Sequence, residues 1–284
     1  MECIADVKAV LGEGPLWDSR EQALYWVDIP EKRLFRWSEA EGARTIPLPV
    51  HLCSLAPRAR GGFIGAGYDG FLEIAADLRI APLGDPEPKL PANRFNDGKT
   101  DRAGRFWAGT MDRSEREASG SLYRLETDLS WEMADTGYRV TNGPAFSLDG
   151  RTMYHSDSAL QRVYAFDLAG DGTAANRRIF AEFGNGEGYP DGMTVDAEDC
   201  LWIAFWDGWC LRRFSPAGER LAELPVPVQR PTSCTFGGAG LDRLYITSAR
   251  RGLTREALEA QPCAGGVFMT VPGVNGVPET PFAG

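Results

Sequence analysis

Acidic and amide side chains recur in one setting along this 284-residue chain, each directly before or one residue removed from a glycine. Glu13 lies in Gly12-Glu13-Gly14-Pro15, Asn96 in Phe95-Asn96-Asp97-Gly98, Asn142 in Thr141-Asn142-Gly143-Pro144 and Asp191 in Pro190-Asp191-Gly192. A single Asn-Gly or Asp-Gly is an ordinary turn pair. The set resists that explanation, because its members share one phase of a repeat and differ in type, whereas a purely structural position would tend to repeat one residue. Glu13, Asn142 and Asp191 together offer two carboxylates and an amide oxygen. That is a hard, oxygen-only donor set, suited to a divalent cation that keeps positions open for water or substrate. Arg94, Asn96 and Asp97 stand in the same register and add further polar groups.

The elements that must position these residues recur with them. After each polar segment comes a turn, such as Asp101-Arg102-Ala103-Gly104 or Asp196-Ala197-Glu198-Asp199, and then a strand-like run, such as Phe106-Trp107-Ala108 or Leu201-Trp202-Ile203. A period of roughly forty residues in strand-rich sequence predicts a propeller, one four-stranded sheet per period. Starts fall at Glu13, near Ser54, and at Asn96, Asn142, Asp191 and Thr232, which gives six blades; the second lacks the glycine signature. Alternating runs such as Ser121-Leu122-Tyr123-Arg124-Leu125 supply third strands. Helical periodicity is confined to Leu253–Ala260, with Thr254 placed as an N-cap. The head, Ile4 to Leu11, reads as extended and the tail, Gly265 to Val271, as one more strand. A closed ring avoids open sheet edges, so the N-terminal strand is expected to join the C-terminal blade. The predicted fold is therefore all-β, a six-bladed β-propeller of four-stranded blades forming a single domain over residues 1–284. In a radial array, equivalent positions of the blades converge on one axis.

Several other functions are disfavoured. A formal net charge of −10 without a basic cluster argues against nucleic acid or anionic membrane as partner. No apolar run approaches the ~20 residues of a membrane span, and the first residues lack the pattern of a secretory signal. The six scattered cysteines read as buried, reduced thiols, and the whole as a soluble, cytoplasmic chain with no obligate protein partner. Gly65-Ala66-Gly67-Tyr68-Asp69-Gly70 matches a dinucleotide pattern, but a strand-like run follows it instead of a helix, so it reads as a hairpin turn. Only two histidines are present, His51 and His155, and no nucleophile elbow, which argues against a serine triad. His155, inside a strand-like run, is expected to be a packed or channel-lining imidazole. Asp167 to Gly172 reads as a turn, since it lacks the full ligand set of a calcium loop.

Taken in order, the segments Leu11–Trp17, Arg94–Lys99, Phe106–Met111, Thr141–Pro144 and Tyr189–Met193 resemble the SMP-30/gluconolactonase/luciferin-regenerating family of six-bladed propellers, over essentially the whole chain. The resemblance implies one divalent metal cation (Ca, Zn, Mn, Mg or Fe) held by Glu13, Asn142 and Asp191. It implies substrate contacts from Arg94 and Asn96 and a general-base role for Asp191. Some members carry a substrate-binding Glu four residues before the Gly of a Gly-x-Leu-Tyr strand. Here Arg116 occupies that place before Gly120, flanked by Glu115 and Glu117, and Glu117 is taken as the substrate contact with Glu115 as the alternative.

The expected function is hydrolysis of a sugar lactone to its open-chain aldonic acid, a gluconolactonase-like reaction in which a pentonolactone such as xylono- or arabinono-lactone is also a candidate substrate. The cation polarises the lactone carbonyl and activates water, and Asp191 takes the proton. Three alternatives stay open at this level: a metal-dependent esterase or phosphotriesterase on the same scaffold, a non-catalytic calcium-binding regulatory protein, and a protein-interaction platform.

Overall fold

Strand-forming runs separated by tight turns give six four-stranded antiparallel sheets in the computed structural model, which describes all 284 residues. They are the blades of a six-bladed β-propeller. The first strands of blades one to six are Gly12–Asp18, Leu52–Pro57, Asn93–Thr100, Thr141–Phe146, Tyr189–Val195 and Pro231–Gly237. Blades one to five each take four consecutive strands, whereas the sixth is completed by Glu2–Ala5, paired antiparallel to Val267–Thr270. The expected joining of the two ends is thus present, with a shorter N-terminal strand than the sequence suggested. Extended structure stops at Ala5 because Lys8 takes a positive φ of 52° and the Asp28 carboxylate captures the Val10 and Leu11 amides. The one α-helix, Arg255–Ala260, is capped as expected by Thr254, whose hydroxyl accepts from the Ala257 amide at 3.2 Å. No helix is long and apolar enough to cross a membrane.

The chain forms two compact units. One comprises Met1–His51 and Phe183–Pro278, which hold blades one, five and six. In it, large aromatic residues fill the spaces between blades. Trp17 of blade one stacks on Tyr245 of blade six with centroids 5.5 Å apart, and Trp202, Phe236 and Phe268 pack between blades five and six. The other comprises Leu52–Glu182 and Glu279–Gly284, which hold blades two, three and four. Phe71, Phe95 and Phe106 fill its first interblade space together with Phe282 from the chain's tail, and Trp107, Phe146 and Tyr164 fill its second.

The predicted turns have a common device. Asp101 Oδ1 accepts from the Ala103 and Arg105 amides while its Oδ2 accepts from Trp107 Nε1 at 2.9 Å. Asp196 does the same for Glu198, Cys200 and Trp202 in blade five. One carboxylate therefore sets the turn and anchors the core tryptophan of the strand that follows. Tyr68-Asp69 is a hairpin turn, as read from the sequence, since Gly67 pairs with Gly70. All six cysteines are free, four of them buried and Cys3 and Cys263 half-buried.

His155 is fully buried, edge-on to Tyr138 at 4.9 Å, and neither ring nitrogen has a hydrogen-bond partner. Burial, and secondarily the Arg177 guanidinium, pushes its pKa down to about 3. The folded-state pKa lies below that of the unfolded chain, so the neutral ring's contribution is complete above about pH 6.5 and is lost as pH falls toward 3. His155→Leu removes both the unpartnered nitrogens and the titration. The variant is expected to melt at or above the wild-type temperature at pH 7, and its advantage should widen by up to about 1.4 kcal/mol per pH unit on acidification. Parallel melts at pH 7 and pH 5 check this, and a gap that stays constant counts against it.

Candidate active site

The polar segments lie within first strands, at bulges. In every blade the register between first and second strands breaks at the same place: after Glu13, Leu52, Phe95, Asn142, Pro190 and Pro231. Such bulges locally re-aim side chains, and Glu13, Asn96, Asn142 and Asp191 all stand at or beside one. The glycines follow from close packing. A Cβ on Gly192 would collide with the Ser233 side chain of the adjacent first strand, and Gly143 adopts a φ of 80° that L-residues rarely take.

In the unit of blades one, five and six, the first strand of blade six packs against the first strands of blades one and five. Glu13 is 7% exposed and Asp191 6% exposed, so both carboxylates are withdrawn from bulk water. Glu13 Oε2 accepts from the Gly14 amide at 3.1 Å. The blade-six counterpart is Thr232, whose hydroxyl bonds to Gly12 O and to Thr247.

In the unit of blades two, three and four, the candidate residues form one directed network. Arg94 donates to Asn96 Oδ1 at 2.7 Å and to Phe95 O at 2.8 Å. Asn96 Nδ2 donates to Thr141 O at 2.6 Å and to Asn142 Oδ1 at 3.0 Å. Asn142 Nδ2 donates to Ser158 Oγ at 2.8 Å, which fixes the amide so that its oxygen keeps one lone pair beyond the Asn96 bond. Asp97 braces the same segment, with Oδ1 accepting from the Gly98 amide and Oδ2 from the Gly143 amide at 2.9 Å. Burial pushes its carboxyl up to about 6 against those two bonds.

Arg94 itself is only 5% exposed, and its partners are neutral oxygens together with the Tyr68 ring, 5.4 Å away. A buried guanidinium without a carboxylate is costly. It lines a cavity of about 150 Å³ with Tyr68, Asp85, Glu87, Asn93 and Arg113. Glu87 is held there by Asn93 Nδ2, Thr110 Oγ1 and Tyr123 OH, at 2.8, 2.9 and 3.1 Å.

Glu117 does not join this network. It is exposed, on a loop organised by Asp112, whose Oδ2 accepts from the amides of Arg116 and Glu117. The Ser114 hydroxyl and these amides hold the Asp112 carboxyl well below the usual carboxylate range. Glu115 is exposed on the same loop with a φ of 60°.

Sequence reasoning missed two kinds of positioning residue. Ser158, which orients Asn142, carries no local signal. Asp28 accepts from the amides of Val10 and Leu11, and Asp157 from those of Arg139 and Val140. Each thus clamps the chain two and three residues before Glu13 or Asn142. An acidic residue closing the second strand of both blades was the available signal.

Residues 11–250 match the sequence profile of the SMP-30/Gluconolactonase/LRE-like region. A 6-deoxy-6-sulfogluconolactonase of Pseudomonas putida is 38% identical, aligned over 100% of this chain and 99% of its own. Regucalcin of Gallus gallus is 37% identical over 100% of this chain and 98% of its own. Among solved structures, a calcium-binding regucalcin from Agrobacterium tumefaciens superposes with a TM-score of 0.94 at 28% identity, covering 99% of this chain and 96% of that one.

Proposed function

Because the chain belongs to the SMP-30/gluconolactonase/LRE-like family, we propose that it hydrolyses a sugar lactone to the aldonic acid with the help of one divalent cation. Arg94 carries the reading: a buried cation without a carboxylate partner, on a polar cavity, tied through Asn96 to a candidate metal ligand. An esterase for apolar substrates would be served by an apolar cavity, whereas Asp85, Glu87, Asn93, Arg94 and Arg113 suit a polyhydroxy ring. The lactonase among the relatives supports the same class of substrate.

Glu13, Asn142 and Asp191 are the proposed ligands. Their buried oxygens fit a hard divalent ion, and each sits at the equivalent bulge of its blade. Such an ion, when bound, polarises an ester carbonyl and acidifies water. The chain's own groups then have definable tasks. Asp191 accepts a proton from the attacking water at a carboxylate oxygen. The water oxygen bonds to the carbonyl carbon, the ring C–O bond breaks, and the proton passes to the departing alkoxide. Arg94 holds the ring hydroxyls or the developing oxyanion. Asn96, whose amide protons go to Thr141 O and Asn142 Oδ1, accepts from a ring hydroxyl at Oδ1, and Glu117 on its exposed loop reaches the far side of the sugar. Turnover of glucono-, xylono- and arabinono-lactones, each with and without chelator and with each candidate metal restored, tests the reading. Equal turnover by metal-free protein would refute it.

Arg94→Ala separates substrate binding from metal binding. Its kcat/KM for the lactone should fall by about 10- to 100-fold, the range for losing a charge-assisted contact of about 1.5–3 kcal/mol. Metal content should stay near wild type. Loss of metal in parallel with activity would make Arg94 a support of the ligand Asn142 and not a contact of the sugar.

A further inference from the structure

Outside the polar segments, one other cluster has the chemistry of a cation site. Cys3 lies on the N-terminal strand Glu2–Ala5, Asp6 follows it, and Cys263 lies in the turn that leads into Val267–Thr270. One ligand atom from each, two sulfurs and a carboxylate oxygen, all lie within 4.8 Å of one another. In a tetrahedral zinc shell with Zn–S of about 2.3 Å, neighbouring donors stand about 3.8 Å apart. The thiols are free and only half-buried, and Asp6 is exposed, so an ion has a route in. Gly266 keeps the space beside the sulfur open, since a Cβ there would come within 3.1 Å of Cys3 Sγ. The place already attracts positive charge. The Lys8 ammonium pairs with Asp6 at 2.7 Å and donates to Pro262 O.

We propose that Cys3, Cys263 and Asp6 form a second metal site, structural in role, for zinc or another thiophilic divalent cation, with water as the fourth ligand. Its soft donor set differs from the oxygen set of Glu13, Asn142 and Asp191, so the two sites select different ions. Its placement gives it a purpose. The N-terminal strand is held to the last blade by only three residue pairs, with a register break between Cys3 and Ala5. A metal ion bridging Cys3 and Cys263 fastens that strand to the sheet it completes.

The test uses the full chain, reduced and stripped of metal, titrated with cadmium and then competed with zinc. The sulfur-to-cadmium charge-transfer band reports thiolate ligation and is silent for an oxygen site. The expected result is saturation at one thiolate-bound ion per chain, with the melting temperature rising by about 5–10 °C at a hundredfold excess over Kd. Cys263→Ser should reduce the band and weaken binding by more than about tenfold, since losing even an outer partner of a ligand costs that much. Asp6→Asn should weaken binding while keeping the band, and Lys8→Met, which removes the competing ammonium, should tighten it. Those two surface variants keep the proposal testable if Cys263→Ser folds poorly. Lactone turnover should be unchanged in all three. Absence of the band with thiols shown to be reduced, a native Cys3–Cys263 disulfide, or a band indifferent to Cys263→Ser would each overturn the proposal.

Discussion

Asp191→Asn, assayed at saturating metal, is expected to lower kcat for the lactone by about two to four orders of magnitude, the range for removing a general base, while the oxygen-donor site stays filled. The amide keeps an oxygen at the same bulge but loses a negative charge and the capacity to take a proton at physiological pH, so metal affinity falls somewhat and turnover at saturating metal falls much further. Gly192, packed against Ser233, leaves the backbone no freedom to re-aim the new side chain. Glu13→Gln gives the complementary result, since Glu13 is proposed only as a ligand: metal affinity and turnover should fall together. A chelator should abolish wild-type activity, and added metal should restore it. The decisive measurements are metal content and single-substrate kinetics on the same samples. Asp191→Asn turning over at the wild-type rate would remove that residue from the chemistry.

The largest expected effect on stability comes from deleting residues 1–11. The deletion removes the strand Glu2–Ala5 and exposes the edge of Val267–Thr270. It also takes away the buried Ala5, Ala9 and Leu11 and the half-buried Ile4 and Val7. Main-chain bonds from Ala9 to Gly265 O and from Arg251 to Val10 O are lost with them. At about 1–2 kcal/mol for each apolar side chain, the loss amounts to several kcal/mol, a fall of about 10–20 °C in melting temperature. Insoluble protein would be the same result in stronger form. Differential scanning of both chains decides the matter, and identical midpoints would show that the N-terminal strand is dispensable.

Much of the fold was legible because the inner strands of each blade carry apolar runs bounded by turns, as in Phe106–Asp112 and Leu201–Trp206, which are almost wholly buried. The fourth strands were not. Ala174–Glu182 and Arg220–Pro225 are largely exposed, carry Arg, Asn and Glu, and show no alternation for a pattern to catch. The candidate site divides along similar lines. Residue type and repeat phase picked out Glu13, Asn142 and Asp191. A single Asp-Gly or Asn-Gly pair does not tell a bulge from a turn, because both ask for the same residues; the shared repeat phase argued against turns, and the neighbouring strand, through Ser233 against Gly192, accounts for the glycine. Ser158 and the clamping carboxylates Asp28 and Asp157 act across 16 to 18 positions of sequence, where no local pattern reports them.

The register break within each first strand is a property of the backbone, and it is present whatever side chain stands there. Cys53 and Thr232 stand at two of the six breaks with no carboxylate or amide, while Glu13, Asn142 and Asp191 stand at or beside three others. The scaffold therefore behaves as a set of sockets, braced by the neighbouring first strand as Asp97 braces Gly143 and Thr232 bonds to Gly12 O, but apart from the aromatic interblade cores. Chemistry can be rewritten by refilling a socket, with a carboxylate at Thr232 or an imidazole at Cys53, while the aromatic layers that hold the blades together are left untouched.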